Sequence, residues 1–376
     1  MQSANWNYPT SIRFGAGRLS ELRDCCQELG MRRPLLVTDA GLVGLDWVQS
    51  LLSAHPEMAC FSDVRPNPIE SNVSQGVEVF RQGGHDGVVA LGGGSALDVG
   101  KAVALMVGQQ RPLWDFVDEG DNFKRVDTQA MAPVVAVPTT AGTGSEVGRC
   151  SVITDSQAGQ KRIIFHPRML PGIVIADPET TFGLSPKVTA AVGMDALSHN
   201  LEAWFSPFCH PMADGIALEG IHLVQQSLLR AYRDGRDGEA RAQMLCASTM
   251  GAAAFQKGLG AMHSLSHPIG ARFDTHHGLT NAVVMPYVLV HNQEVIAERS
   301  QRLARYLGIE SLLDWVLELR RQLGIPHTLQ ELGLPLESLP ELAAQAYLDP
   351  TAATNPISLN SENCLSMLQA AWHGRL

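Results

Sequence analysis

No stretch of this sequence approaches the roughly 18 unbroken apolar residues of a membrane span, and no run of Lys and Arg could neutralise successive phosphates of a nucleic acid. With a formal net charge of −10, partnership with nucleic acid or an anionic membrane is set aside. The opening residues, MQSANWNYPTSIRFG, lack a basic segment followed by an apolar core, so no export signal is read there and a cytoplasmic location is expected. Cysteine is sparse and scattered. The seven residues, at 25, 26, 60, 150, 209, 246 and 364, form neither C-x-x-C pairs nor a secreted disulfide framework, and read as reduced thiols. Cys25 and Cys26 sit in LSELRDCCQELG, where burial on one helical face is expected. Internal repeats and low-complexity tracts are also missing, and the Gly/Pro/Asn-rich stretch from 350 to 362 reads as a surface loop.

What remains is a globular composition. Hydrophobic residues make up 45% and charged residues 18% of 376 positions, enough for about two domains at roughly 150 residues each. The first half alternates short apolar, β-prone runs with amphipathic segments: PLLVTDAG, DGVVALGGGS, APVVAVPTT and GIVIADP. Runs that are apolar on both faces suit parallel strands buried between helices, with ligands at their carboxyl ends. After Pro178 helical spacing takes over, as in SPKVTAAVGMDALSHNLEAWF, where Ser185 is a good N-cap and Pro186 a good first helical residue. The expectation is an α/β dinucleotide-binding domain over 1–180 and an all-helical metal-binding and substrate domain over 181–376.

Gly92-Gly93-Gly94-Ser95 follows the apolar run Val88-Val89-Ala90 and precedes ALDVGKAVALM, so the glycines fall at a strand-to-helix turn. There the bare backbone and unpaired helical N–H groups suit a pyrophosphate; a plain tight turn would use the same residues. A second polar loop, Pro138-Thr139-Thr140-Ala141-Gly142-Thr143-Gly144-Ser145-Glu146, follows the strand VVAV, and its hydroxyls suit phosphate, ribose or amide recognition. Asp39 ends LLVTD, where a carboxylate can accept from ribose hydroxyls and repel a 2′-phosphate, favouring NAD over NADP. An Asp that simply starts the turn DAGL fits equally well.

Asp195 and His199 are four apart in the helix that begins near Pro186, so both project from one face. His263, His267, His276 and His277 crowd a 15-residue window, four of the 13 histidines in the chain. A single such pair is ordinarily structural, but one carboxylate with several imidazoles suits a borderline divalent ion such as Fe²⁺ or Zn²⁺ with a position left for substrate. His267, one turn from His263, stands apart from the ligands as a candidate proton relay, with a packing role at the following Pro268 turn as the plain alternative.

Taken together, GGGSALDVGK, PTTAGTGSEV, GMDALSHNLEAW, MHSLSHPIGA and HHGLTNAVVMP resemble the signature segments of the iron-dependent (group III) alcohol dehydrogenases, collinear from about residue 5 to 290. The resemblance implies an NAD-dependent enzyme of dehydroquinate synthase-like fold that interconverts a small primary alcohol and its aldehyde, with its active site in the cleft between two domains, and a homodimer. It implies metal on Asp195, His199, His263 and His277, in agreement with the spacing, and His267 beside the nicotinamide. Cofactor contacts would fall on Asp39, Asn67, Gly94, Ser95, Asp98, Thr139, Thr140, Thr143, Ser145 and Lys161.

Two segments depart from the family pattern. Gly148 follows Ser145-Glu146-Val147 where the family usually has Thr, and Ala254-Phe255-Gln256-Lys257-Gly258-Leu259-Gly260 replaces a small, polar and apolar run. Arg149, Cys150, Phe255 and Lys257 are therefore the substrate candidates, and Lys257 with Arg149 could pair with the carboxylate of a semialdehyde; a solvated or structural lysine is the alternative. The rival readings are a metal- and NAD-dependent lyase or cyclase of the dehydroquinate synthase type, and a non-catalytic protein that binds nucleotide and metal.

Overall fold

The computed structural model describes residues 10–376, which divide into two compact units. The first comprises 10–140 and Gly144–Thr181; the second comprises Ala141–Thr143 and Phe182–Leu376. The first is α/β and the second helical, the fold class the strand-to-helix change in the sequence implies.

In the α/β unit the strands are β1 (Ser11–Phe14), β2 (Pro34–Val37), β3 (Ala59–Phe61), β4 (Gly87–Gly92), β5 (Val134–Pro138), β6 (Cys150–Asp155), β7 (Gln160–Phe165) and β8 (Ile173–Ala176). Six of them form one sheet in the order β1-β8-β5-β4-β2-β3, and every pair is parallel. Its central strands β2, β4, β5 and β8 are buried along their whole length. That is why they read as unbroken apolar runs rather than as alternation.

The helices of this unit are α1 (Leu22–Glu28), α2 (Ala40–Val43), α3 (Asp46–Ala54), α4 (Glu70–Gly83) and α5 (Gly94–Met106). Cys25 and Cys26 are both buried on α1, where burial pushes the Cys26 thiol up to about 12, so neither is a reactive thiolate. From β2 the chain goes outward to the edge strand β3 and returns past β2 to β4, so the strand order reverses between β2 and β4. Asp39 and the Gly92–Gly94 turn lie at the carboxyl ends of those two strands, where parallel α/β sheets bind ligands. The antiparallel hairpin β6–β7 has no counterpart in the sequence reading. Its strands are only partly buried and lack the unbroken apolar signature of the sheet.

The helical unit contains α6 (Pro186–Phe205), α7 (Pro211–Arg233), α8 (Gly238–Ala254), α9 (Ala261–Phe273), α10 (His277–Leu307), α11 (Leu312–Gln322), α12 (Leu339–Leu348) and α13 (Ser361–His373). Ser185 caps α6 through Val188 N, with Pro186 at the first turn. α6 is buried almost all round, including Trp204 at 0% exposure, so it is the axis of this unit. Placing Asp195 and His199 on it fixes both in the most constrained part of the core.

Two local expectations change. Pro268 makes no turn: it lies inside α9, so His263 and His267 are held on one continuous helix. The segment 350–362 is not a plain surface loop, because Pro350–Thr354 forms a 3₁₀ turn and Ala352, Asn355 and Leu359 are buried.

Candidate metal centre and nucleotide loops

Three side chains from three positions in the chain converge inside the helical unit. Potential ligand atoms of Asp195, His263 and His277 all lie within 4.8 Å of one another. α6 supplies Asp195, α9 supplies His263, and His277 opens α10. The approach of α10 to α6 requires Gly278: a Cβ there would stand 2.3 Å from the Ala191 carbonyl oxygen and 2.8 Å from Asp195 Cβ.

At the centre of the cluster sits the amide of Asn281, one turn along α10 from His277. Its Nδ2 lies 2.8 Å from Asp195 Oδ1, 3.2 Å from His277 Nε2 and 3.3 Å from His263 Nε2. Ser198 Oγ is a fourth acceptor at 3.4 Å. An amide has two hydrogens to give, so acceptors outnumber donors at this point. The Asn281 Oδ1, also buried, makes no hydrogen bond among the described residues. A surplus of inward-facing lone pairs beside a buried carboxylate is the electrostatic signature of a cation site, and the residues fit a divalent ion.

The other ring nitrogens are held from outside. His263 Nδ1 bonds to Glu202 Oε2 at 2.5 Å, and the second oxygen of Glu202 accepts from Met262 N at 2.6 Å. His199 Nδ1 donates to the Gly142 carbonyl at 3.3 Å. His277 Nδ1 shares a long contact of 3.5 Å with Ser266 Oγ. A carbonyl or carboxylate only accepts, so His199 and His263 carry hydrogen on Nδ1 and present Nε2 as the electron-pair donor.

His199 stacks on His263, with centroids 4.6 Å apart and planes 19° from parallel, and lies outside the three-residue group. Burial disfavours its charged form and lowers its pKa to about 4, so at neutral pH it is an uncharged imidazole. Burial acts the same way on His263, but Glu202 outweighs it and raises that ring above its ordinary value of 6.5. His267 completes the cluster: it stacks on His277 at 5.4 Å and 20° and meets His263 edge-on at 5.8 Å. Its Nδ1 bonds to Asp349 Oδ2 at 2.8 Å.

Of the substrate candidates, Phe255 reaches this cluster, with its ring 5.3 Å from that of His199. Lys257 does not offer a free cation. It is buried, and its Nζ is engaged by Asp214 Oδ1 at 2.6 Å and the Trp204 carbonyl at 3.2 Å. Its charge is therefore met within the core by Asp214, which Arg299 also pairs at 3.0 Å. Burial and its two partners inside the core, Asp214 and the Trp204 carbonyl, favour the structural reading of Lys257 over the substrate reading. Arg149 and Cys150 belong to the α/β unit; the Arg149 guanidinium lies 5.7 Å from the centre of the Phe165 ring. Burial pushes the Cys150 thiol up to about 11.

The nucleotide candidates separate into three kinds. Asp39 is the N-cap of α2, its Oδ1 accepting from Gly41 N and Leu42 N at 2.9 and 3.0 Å; capping occupies one oxygen only. Gly92 has φ +150°, and a Cβ there would stand 2.7 Å from that of Ala96, so the turn into α5 needs glycine. Gly94 and Ser95 form the first turn of that helix, with the Thr139–Thr140 strand end alongside through Thr139 N to Gly92 O at 2.9 Å.

Asp98 and Ser145 instead bond each other at 2.5 Å, and Asp98 Oδ2 accepts from Val152 N at 2.9 Å. Lys101, 3.3 Å from Asp98, adds bonds to the carbonyls of Ser145 and Cys150. This buried knot fixes the turn after the Thr-rich loop. Asn67 lies half-buried between β3 and α4, Lys161 faces Thr154 across the hairpin, and Thr143 is counted with the helical unit.

Sequence reasoning missed Glu202, Asn281 and Asp349. Glu202 and Asn281 carried a faint signal, since each lies three or four residues from a predicted ligand on its own helix. Asp349 carried none.

A parallel sheet with glycine- and threonine-rich strand ends, together with a His/Asp cation site in a helical unit, defines a nucleotide- and metal-dependent enzyme. Comparison with known proteins makes this particular. Residues 9–178 match the iron-containing alcohol dehydrogenases, and 189–372 match the C-terminal part of the Fe-containing alcohol dehydrogenase family. The chain is 38% identical to a 4-hydroxybutyrate dehydrogenase of Cupriavidus necator, covering 96% of this chain and 98% of that one.

Among solved structures it is similar to a 1,3-propanediol oxidoreductase, with TM-score 0.93, 32% identity and coverage of 99% and 100%. It is also similar to a sulfoacetaldehyde reductase from Bifidobacterium kashiwanohense in complex with NAD+, with TM-score 0.90, 30% identity and 99% of each chain covered. The chain belongs to the iron-containing alcohol dehydrogenase family. It is an NAD-dependent oxidoreductase of the alcohol–aldehyde type.

Proposed function

We propose that Asp195, His199, His263 and His277 hold the catalytic divalent ion and that His267 carries the proton in the interconversion of a small primary alcohol and its aldehyde. The observation that carries this reading is the convergence of buried Asp195 and His263 with half-buried His277 on one point where acceptors outnumber donors. His199 joins them as the fourth ligand, because the Gly142 carbonyl takes its Nδ1 hydrogen and burial keeps the ring neutral. Bound there, Fe²⁺ or Zn²⁺ would supply Lewis acidity, while NAD(H) supplies or accepts the hydride.

The residues do the rest. Glu202 and Gly142 fix the ring orientations of His263 and His199. Phe255 presents an apolar ring beside His199 and excludes water from that side. His267 moves a proton at Nε2, its Nδ1 being held by Asp349. On the nucleotide side we assign Asp39 Oδ2 to the ribose, and the turn of Gly94 and Ser95, with Thr139 and Thr140, to the pyrophosphate and amide. Asn67, Thr143 and Lys161 are kept as contacts that the family resemblance implies. Asp98 and Ser145 act by shaping the loop.

For the substrate, we infer a short primary alcohol–aldehyde couple. For a semialdehyde Arg149 is the better candidate, since Lys257 is buried and already engaged by Asp214. The relatives named for 4-hydroxybutyrate and sulfoacetaldehyde keep an anionic substrate worth testing, whereas the one named for 1,3-propanediol favours a neutral one. We further infer a cytoplasmic homodimer. No helix is long and apolar enough to cross a membrane among the described residues, all seven cysteines are free, and Phe208, Val295 and Leu348 expose apolar surface.

The test is NADH oxidation with a panel of neutral and acidic short aldehydes, with and without Fe²⁺ or Zn²⁺, alongside light scattering for the dimer. Chelation is expected to abolish turnover while NADH binding persists. Full activity after verified metal removal overturns the assignment.

A further inference from the structure

The chemistry of His267 depends on which of its nitrogens carries hydrogen, and that is decided by a residue 82 positions away in the chain. Asp349 Oδ2 lies 2.8 Å from His267 Nδ1, and both side chains are only 14% exposed. The other oxygen of Asp349 accepts from Thr351 N at 2.9 Å and Thr351 Oγ1 at 2.6 Å, as the cap of the 3₁₀ turn Pro350–Thr354. The carboxylate is thereby fixed from behind and can only accept from the ring. Burial raises the pKa of Asp349, yet His267 and Thr351 together hold it below its ordinary value, so it stays a carboxylate.

The same segment is fastened to the start of α9. Thr354 Oγ1 donates to the Leu259 carbonyl at 2.6 Å, and Asn355 Oδ1 accepts from Ala261 N at 3.1 Å. The turn that holds Asp349 is therefore tied by two hydrogen bonds to the residues that open the helix carrying His263 and His267. Stacking on His277 limits the swing of the His267 ring, and the hydrogen bond to Asp349 sets its tautomer.

We propose that Asp349 is a positioning residue of the reaction: by accepting the Nδ1 hydrogen it holds His267 with Nε2 open for proton transfer. This inference rests on the relay assigned to His267 above. It gives the segment after α12 a task in the active site rather than in the surface.

The experiment is a double-mutant cycle on the metal-loaded holoenzyme with His267→Ala, Asp349→Ala and the pair. Metal content is measured for each variant. Asp349→Ala is expected to lower kcat about 10- to 100-fold, the range found for partners that orient metal-ligating histidines, with KM for NADH within about 2-fold and metal content unchanged. In the His267→Ala background the same substitution is expected to change kcat by less than about 2-fold, because its effect passes through the ring.

¹⁵N-labelled histidine spectra of the Zn²⁺-loaded protein provide a reading independent of turnover: His267 carries hydrogen on Nδ1 in the native protein and gains an Nε2–H population in Asp349→Ala. Asp349→Asn, of equal size, takes its place if the alanine variant fails to fold. Asp349→Glu is expected to recover part of kcat.

An undiminished loss of kcat in the His267→Ala background, or an unchanged His267 tautomer, overturns the role of Asp349 while leaving the relay intact. Native kcat in His267→Ala alone removes the relay itself, and the positioning role with it.

Discussion

Lowering the pH of the metal-free protein should destabilise it through His199 in a way that one substitution isolates. The ring is buried between α6, the Gly142 carbonyl and the faces of His263 and Phe255. Its pKa falls from 6.5 to about 4, with burial as the main cause. Between those values the unfolded chain takes up a proton that the folded protein refuses, so stability rises with pH in this window. The penalty begins as pH drops below 6.5, grows until about pH 4, and is then constant. At 1.36 kcal/mol per pKa unit the limiting cost is about 3 kcal/mol, and at pH 5 it is about 2 kcal/mol.

His263 acts in the opposite sense. Its raised pKa contributes stability that is present below 6.5 and disappears as pH rises through the folded value. The net acid response of the native protein is therefore not diagnostic by itself. Comparison with His199→Gln is: urea unfolding of both chelator-treated proteins at pH 8 and pH 5, followed by tryptophan fluorescence, should show the native protein losing about 2 kcal/mol more than the variant. Parallel loss in the two proteins, within about 0.5 kcal/mol, would refute the view that His199 is held neutral by burial.

Glu202→Gln keeps the size of the residue but removes the charge at His263 Nδ1, and metal affinity by chelator competition is expected to fall about 10- to 100-fold without loss of fold. Gly278→Ala drives a methyl group toward the Ala191 carbonyl and Asp195, so both the melting temperature and the bound metal per chain should fall, at a cost of about 1–3 kcal/mol in thermal or urea unfolding. Lys257→Met is expected to be within about 1 kcal/mol of native stability, because Arg299 still pairs Asp214 and an apolar chain replaces a buried ammonium; Lys257→Ala, which opens a cavity, should cost about 2–4 kcal/mol. In neither Lys257 variant should the ratio of kcat/KM for acidic and neutral aldehydes change, since the ammonium faces Asp214.

The two-part fold was legible because burial on both faces leaves unbroken apolar runs in β2, β4, β5 and β8, and because Ser185-Pro186 marks the start of α6. The hairpin β6–β7 was not, since its runs are only partly buried. At the site, residues on a shared helical face could be read from spacing: Asp195 with His199, and His263 with His267. What holds them could not. Glu202 meets His263 across 61 residues and Asp349 meets His267 across 82, and no local period encodes a contact between distant segments. Lys257 shows the converse limit. Its position near the third predicted ligand suggested a substrate contact, but the direction of a side chain from a 3₁₀ turn is settled by packing, here against Asp214 and Trp204.

The arrangement of holders also explains why the site should tolerate little change away from the proposed ligands. Four rings have their Nδ1 atoms engaged by four different segments: Gly142 in the loop after β5, Glu202 on α6, Ser266 on α9 and Asp349 after α12. Each holder fixes one ring's rotation, and where it can only accept it fixes the tautomer as well. The rings touch one another at centroid separations of 4.6 to 5.8 Å, so a ring that loses its holder can turn only by displacing a neighbour. Removing one holder is therefore felt by more than one ring. Paired substitutions such as Glu202→Gln with Asp349→Asn, whose rings are in contact, should couple rather than add in kcat.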